Sequence, residues 1–267
     1  MSIQSSHKTV SLDELTVDCR VQRVEGIDHK RVAAMAASFN PMALGTLLVS
    51  QRADGSKVVL DGWHRWDAAR QAGYTGLLNA EVYSGLTIEQ EAELFLLHNT
   101  SKAPSAISRF RARVIMGESV AVDIDMIIRA HRWQVTKSAA AGNLTAVDAA
   151  ERVFRNGGGV VADGKHPELL DRTLEIVTAA WEHDYNAVAS PMLLGVAQLF
   201  GRFGPSIDTR KLVTEMQATR PGVLLGRARV IRDSQGGTLP AAAAKILAGM
   251  HNKRRKNNLL PEWVWIR

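Results

Sequence analysis

A single cysteine, Cys19, in a chain of 267 residues excludes an internal disulfide framework and leaves too little sulfur for a zinc ribbon or an iron–sulfur cluster. Long apolar runs are also missing. No stretch approaches the roughly 20 apolar residues that a membrane-spanning helix needs. The segment Met1-Ser2-Ile3-Gln4-Ser5-Ser6-His7 lacks the apolar run of a secretory signal. The expectation is therefore a soluble, cytoplasmic protein with no membrane partner. Internal repeats and low-complexity tracts are absent, and 46% hydrophobic with 22% charged residues is the balance of a folded globular chain rather than a disordered one. Acidic residues become scarce toward the end. Residues 201–267 hold 13 Lys/Arg against 4 Asp/Glu, a net of +9, although the whole chain carries only +6. Basicity concentrated in one quarter of a sequence points toward a polyanionic partner.

What is present divides in two. Up to about residue 103, strand and helix signals alternate. Asp28 reads as the N-cap of a helix over 30–39, and Ala53-Asp54-Gly55-Ser56 joins two apolar runs, 46–50 and 57–60, as a hairpin. A helix beginning after Asp61-Gly62 closes at Gly73, a strand follows over 77–83, and Thr87-Ile88-Glu89-Gln90 is a capping box opening another helix. From Ser105 onward strand signals nearly vanish, and helical periodicity recurs over 105–116, 120–132, 145–155, 167–182, 191–203 and 240–250. Asn156-Gly157-Gly158-Gly159 and Ser234-Gln235-Gly236-Gly237 read as flexible breaks. The expected architecture is α+β, a mixed sheet with helices over 8–103 followed by an all-α region over 104–267.

The sharpest local feature is Asp61-Gly62-Trp63-His64-Arg65 between a strand and a helix. The first turn of a helix offers unpaired amides and the positive end of its dipole, and a glycine there lets a phosphate approach the backbone. Arg65 is a candidate bidentate fork and His64 a further donor. Spacing alone also fits an ordinary capped helix with solvated polar residues. Asp61 reads as that helix's N-cap, with a catalytic role beside a scissile phosphate as the alternative. Glu25, Asp28 and Glu81 are the carboxylates that would have to join it, and the sequence does not write a metal site.

The order of elements over residues 8–117, with Gly62-Trp63-His64-Arg65, Ala68-Ala69 and Ala72-Gly73, resembles the ParB/sulfiredoxin superfamily. In ParB proteins the corresponding Gly-Glu-Arg-Arg box binds the triphosphate of CTP. The resemblance keeps Arg65 and places Trp63 and His64 where that family has Glu and Arg. It also implies a second box at His98-Asn99-Thr100-Ser101-Lys102, in which Asn99 matches and Lys102 stands in the arginine position as a point charge. His98 replaces the family's glutamate, which removes a metal-coordinating group. Sulfiredoxins carry Gly-Cys-His-Arg, and Trp63 in the cysteine position excludes their chemistry. Arg20 and Arg23 lie where ParB proteins carry an Asn-Pro-Arg element near the nucleotide; a solvated edge strand is the alternative. The resemblance thus implies a CTP or ATP site, with Mg2+ as its candidate companion, formed by Gly62, Trp63, His64, Arg65, Asn99, Lys102, Arg20 and Arg23.

Asp-Gly-x-His-Arg also resembles the ParB-like nucleases of phage and mobile elements, in which Asp61 or His64 would be the chemical group. Arg109, Arg111 and Arg113 occupy the passage to a helix-turn-helix in ParB proteins. Ile124, Ile127 and Ile128 form an apolar stripe whose plainer reading is a helical bundle. Arg227, Arg229, Arg232, Lys253, Arg254, Arg255 and Lys256 are the candidate DNA contacts, with Trp263 and Trp265 beyond them as aromatic platforms or packed residues. The expectation is a phage- or plasmid-type ParB-like DNA-binding protein with a nucleoside triphosphate, DNA and a second copy of itself as partners. A nuclease or nucleoside triphosphatase, and a structural adaptor with a degenerate pocket, are the alternatives.

Overall fold

The computed structural model describes residues 4–22, 26–98 and 104–261, which fall into two compact units, one ending at Glu118 and the other beginning at Ser119. In the first unit, β1 (Gln4–Ser11) leads through a 3₁₀ turn to β2 (Leu15–Thr16) and then α1 (His29–Ala37). The hairpin β3 (Leu47–Gln51) and β4 (Lys57–Asp61) runs directly into α2 (Trp63–Gln71), followed by β5 (Leu77–Ser84), α3 (Ile88–His98) and α4 (Ala106–Ile115). The strands form one mixed sheet in the order β1-β5-β3-β4-β2. β1 is antiparallel to β5, β3 is parallel to β5 and antiparallel to β4, and β2 is parallel to β4. A register shift between Leu48 and Val49 bends β3 where it pairs with Asp61.

Alternation along the strands gives the sheet two apolar faces. Leu47, Val49, Val59, Leu78, Ala80 and Val82 pack with Trp66 and Ala69 of α2 on one side. Leu48, Val58 and Leu60 pack with Ala92 of α3 and Ala112 of α4 on the other. α4 therefore belongs to the first unit, and the division falls later than the 103/104 position expected from the fading of strand signals. The short-range signals are realised. Asp28 accepts the Arg31 amide at 3.2 Å, and Thr87 and Gln90 bond each other's backbone amides. α2 ends in a left-handed Gly73 whose neighbour Tyr74 donates to the Ala69 carbonyl at 3.0 Å.

The second unit holds α5 (Ser119–Ala130), a two-residue pair β6 (Gln134–Val135) and β7 (Asn143–Leu144), α6 (Val147–Asn156), α7 (Pro167–Trp181) and α8 (Ser190–Phe203). α9 (Thr209–Gln217), α10 (Pro221–Gln235) and α11 (Leu239–Asn252) complete it. α8 is buried along nearly its whole length, as a helix apolar on every side must be, and α6, α7 and α11 surround it. Gly195 allows the close approach of α11, since a Cβ there would lie 2.9 Å from that of Ala243. No helix-turn-helix starts at α5, which packs on α7 and is followed by the β6/β7 pair rather than by a tight turn into a second helix. The 156–159 segment separates α6 from α7. Gly157, Gly158 and Gly159 all have positive φ, Gly157 and Gly158 close the end of α6 against Leu169, Val160 and Leu194, and Gln198 donates to the Gly158 carbonyl at 3.2 Å.

Candidate functional site

Chain direction reverses abruptly at the β4–α2 junction. Gly62 sits at φ 97°, and a Cβ there would lie 2.4 Å from Leu47 Cδ2, so only glycine fits. Gly62, not Asp61, is the N-cap: its carbonyl accepts the Trp66 amide at 2.9 Å, and as a glycine it has no side chain to cap the first-turn amides. Asp61 ends β4 instead, one residue too early to reach the first-turn amides. The amides of Trp63, His64 and Arg65 precede the helical ladder and carry its positive end. Trp63 packs half-buried on the apolar cluster beneath, and Trp66 is buried with its indole N–H donating to the Leu12 carbonyl at 3.1 Å. The helix start is thus held from below.

Arg65 does not point its fork into open space. Nη1 donates to the carbonyls of Leu44 and Thr46 at 2.8 and 3.1 Å, and Nη2 donates to Asp61 at 3.0 Å. The guanidinium fastens the loop before β3 to α2, with the Asp61 carboxylate neutralised in the same contact. His64 Nε2 accepts the Asp28 amide at 3.1 Å, which places the imidazole proton on Nδ1 in the neutral ring. His64 and Arg65 therefore bracket the start of α2, each bound to a different neighbouring loop. An open hollow of about 240 Å³ lies beside Thr46, lined by His7, Lys8, Thr9, Asn79 and Ala80. It is smaller than the roughly 300–1,000 Å³ of pockets that enclose a drug-sized ligand.

The remaining expected contacts separate. Asn99 and Lys102 of the second box, together with Arg23 and Glu25, lie outside the described residues, as do Trp263 and Trp265. Arg20 turns back on its own segment and forks onto Asp18, with Nη2 to Oδ2 at 2.6 Å. Sequence reasoning missed the cluster that this belongs to. Arg52 bonds both oxygens of the buried Glu91 and also Asp18, joining the 18–22 segment, the β3 end and α3. The arginines beside Asp18 hold its carboxyl well below the usual range, with the Arg20 hydrogen bond the largest cause. Of the carboxylates proposed to join Asp61, Asp28 caps α1 and Glu81 accepts the Tyr83 hydroxyl at 2.9 Å. No three His, Cys, Asp or Glu side chains converge as metal ligands among the described residues.

The basic residues of the second unit have two fates. Arg227 and Arg229 are exposed on α10 and make no side-chain hydrogen bond or ion pair among the described residues, whereas Arg232 pairs with Asp233 at 2.7 Å. In the tail, Lys253 pairs with Glu215 at 2.6 Å and Arg255 with Asp208 at 3.4 Å, while Arg254 and Lys256 stay exposed. Neither α9 nor α10 was read from periodicity. The available signals were Asp208, which caps α9 by accepting the Lys211 amide, and Pro221 in the first turn of α10. Residues 19–261 match a family profile described as DUF6551, a family of unknown function. No curated protein matches the chain.

Proposed function

The chain belongs to the DUF6551 family, a family of unknown function, and from its geometry we propose a ParB-like DNA-binding protein that holds the phosphates of CTP or ATP at the start of α2. One observation carries this reading. A nine-residue helix leaves the sheet through a left-handed glycine that has no side chain to cap it, and keeps His64 and Arg65 within its first turn. An anion there would face the positive end of the helix dipole and the first-turn backbone. The phosphate grip in this reading comes from the amides and His64. Arg65 acts through shape, because its bonds to Leu44, Thr46 and Asp61 fix the loop beside the site. The nuclease alternative has less support, since Asp61 is paired with Arg65, Asp28 caps α1 and Glu81 accepts the Tyr83 hydroxyl.

Isothermal titration of the full chain with each of the four common nucleoside triphosphates, with and without magnesium, tests the site. One triphosphate is expected to bind, and His64→Ala to weaken it about tenfold, the size of one hydrogen bond to a charged group. Absence of heat with every nucleotide would reduce this unit to an adaptor.

A further inference from the structure

Lys253-Arg254-Arg255-Lys256 is a run of like charges, which ordinarily repel and stay solvated without fixed structure. Here the chain closes the run into a loop. The Asn252 side chain donates Nδ2 to the Leu260 carbonyl at 2.7 Å and accepts the Leu260 amide on Oδ1 at 2.8 Å. Leu260 is itself buried. Beneath the loop lies His251, which is wholly buried. Its Nε2 accepts the Asp208 amide and an Arg255 N–H, each at 3.1 Å, and Nδ1 faces Asn252 Oδ1 at 3.2 Å.

The four cations then alternate. Lys253, itself exposed, and the half-buried Arg255 pair with Glu215 and Asp208, and Lys211 donates to the Lys253 carbonyl. Arg254 and Lys256 turn outward, are exposed, and make no side-chain hydrogen bond or ion pair among the described residues. Arg254 and Asn258 adopt positive φ, 58° and 54°, where the chain must turn. Glu215 and Asp208 are paired with Lys253 and Arg255, and the Arg254 charge also acts on Glu215 without an ion pair, which leaves Arg254 and Lys256 available at the surface. Fixing the loop in advance removes ordering entropy from any binding event. The packing of Ala228 and Ile231 against Ala242, Ala243 and Ile246 makes α10 and α11 an antiparallel hairpin. The start of α10, with Arg220 and Arg227 exposed, therefore lies toward the same end as this loop. Cations spread over such a surface suit a polyanion with repeating charge better than a single small anion.

We propose that residues 253–258, closed by the Asn252–Leu260 clamp, form a preorganised loop that presents Arg254 and Lys256 to the phosphate backbone of nucleic acid. The proposal rests on the DNA-binding reading and deepens it: the outer pair binds and the inner pair holds the loop.

Fluorescence anisotropy with a labelled duplex of arbitrary sequence, titrated with salt, tests it on the full chain. Replacement of both outer residues, R254A/K256A, is expected to weaken binding about tenfold and to lower the slope of log affinity against log salt by about 2, one unit per lost phosphate contact. The melting temperature should not change. N252A retains every cation and releases the clamp; a several-fold loss of affinity with a smaller change in slope is expected. If the wild-type chain binds duplex and R254A/K256A binds identically with the same slope, the loop is not the contact and the DNA reading stands without it. If the wild-type chain binds no duplex, or binds anionic phospholipid vesicles instead, the DNA reading falls and this proposal with it.

Discussion

A guanidinium presents five N–H donors in a rigid fork, and at Arg65 three hydrogen bonds to Leu44, Thr46 and Asp61 use that geometry to join a loop, a strand end and a helix. The same residue type in the same place serves equally to hold a phosphate, so the sequence position alone does not distinguish structural from ligand-binding use; the neighbouring carbonyls do. Ser50 poses the opposite problem. It is buried in β3, and its Oγ has no hydrogen-bond partner among the described residues. A hydroxyl stripped of water without a replacement bond costs about 1–3 kcal/mol, whereas an alanine fills nearly the same space with no polar group. Ser50→Ala is expected to leave stability unchanged or raise it by about 1 kcal/mol in a urea titration. A clear loss would show that the hydroxyl has a partner in solution.

Between elements, α11 caps α9. His251 Nε2 accepts the amide of Asp208 at the α9 N-cap, so a side chain from one helix satisfies a donor at the start of another. Burial pushes the His251 imidazole below its ordinary value of 6.5, aided by the Arg255 and Lys211 charges and opposed by Asn252 and Asp208. The unfolded chain therefore binds a proton that the folded chain resists. The stability associated with neutral His251 is complete above about pH 6.5 and is lost as pH falls from there through the lower folded value. His251→Gln is expected to flatten that limb of the Tm-against-pH curve, and an unchanged limb would assign it to other groups. Such a contact is not legible in the sequence, because His251 and Asp208 are brought together only by tertiary packing. What was legible is local: the Thr87–Gln90 capping box, the Asp54-Gly55 hairpin and the Gly73 cap each depend on residues within a few positions. Gly62 was legible as special but Asp61 was misread as its helix's cap, since the left-handed turn at Gly62 makes the glycine the cap and leaves Asp61 paired with Arg65. α9 and α10 escaped because their buried faces are narrow, with Leu212 and Met216 the buried residues of α9.

At the scale of the whole molecule, each unit contains what a domain needs. The sheet of the first is covered by apolar clusters on both faces, α4 completing the second, and α8 gives the other unit a buried axis. Both exceed the roughly 70–80 residues below which a single core seldom suffices. Residues 1–118 and 119–267, produced separately, are therefore expected to fold, each with a cooperative thermal transition and the circular dichroism of its part of the intact chain. Dividing instead at 103/104 should destabilise the shorter piece, because removal of α4 takes Ala112 and Ile115 from the apolar cluster that α3 and Leu48, Val58 and Leu60 share. The comparison matters for function as well. Under the proposed reading the triphosphate site lies in one unit and the basic loop in the other, so the two fragments separate the two activities. Residues 119–267 should bind duplex with a salt slope near that of the intact chain, and residues 1–118 should bind the triphosphate alone. Loss of duplex binding from a well-folded 119–267 fragment would mean that the first unit supplies contacts of its own.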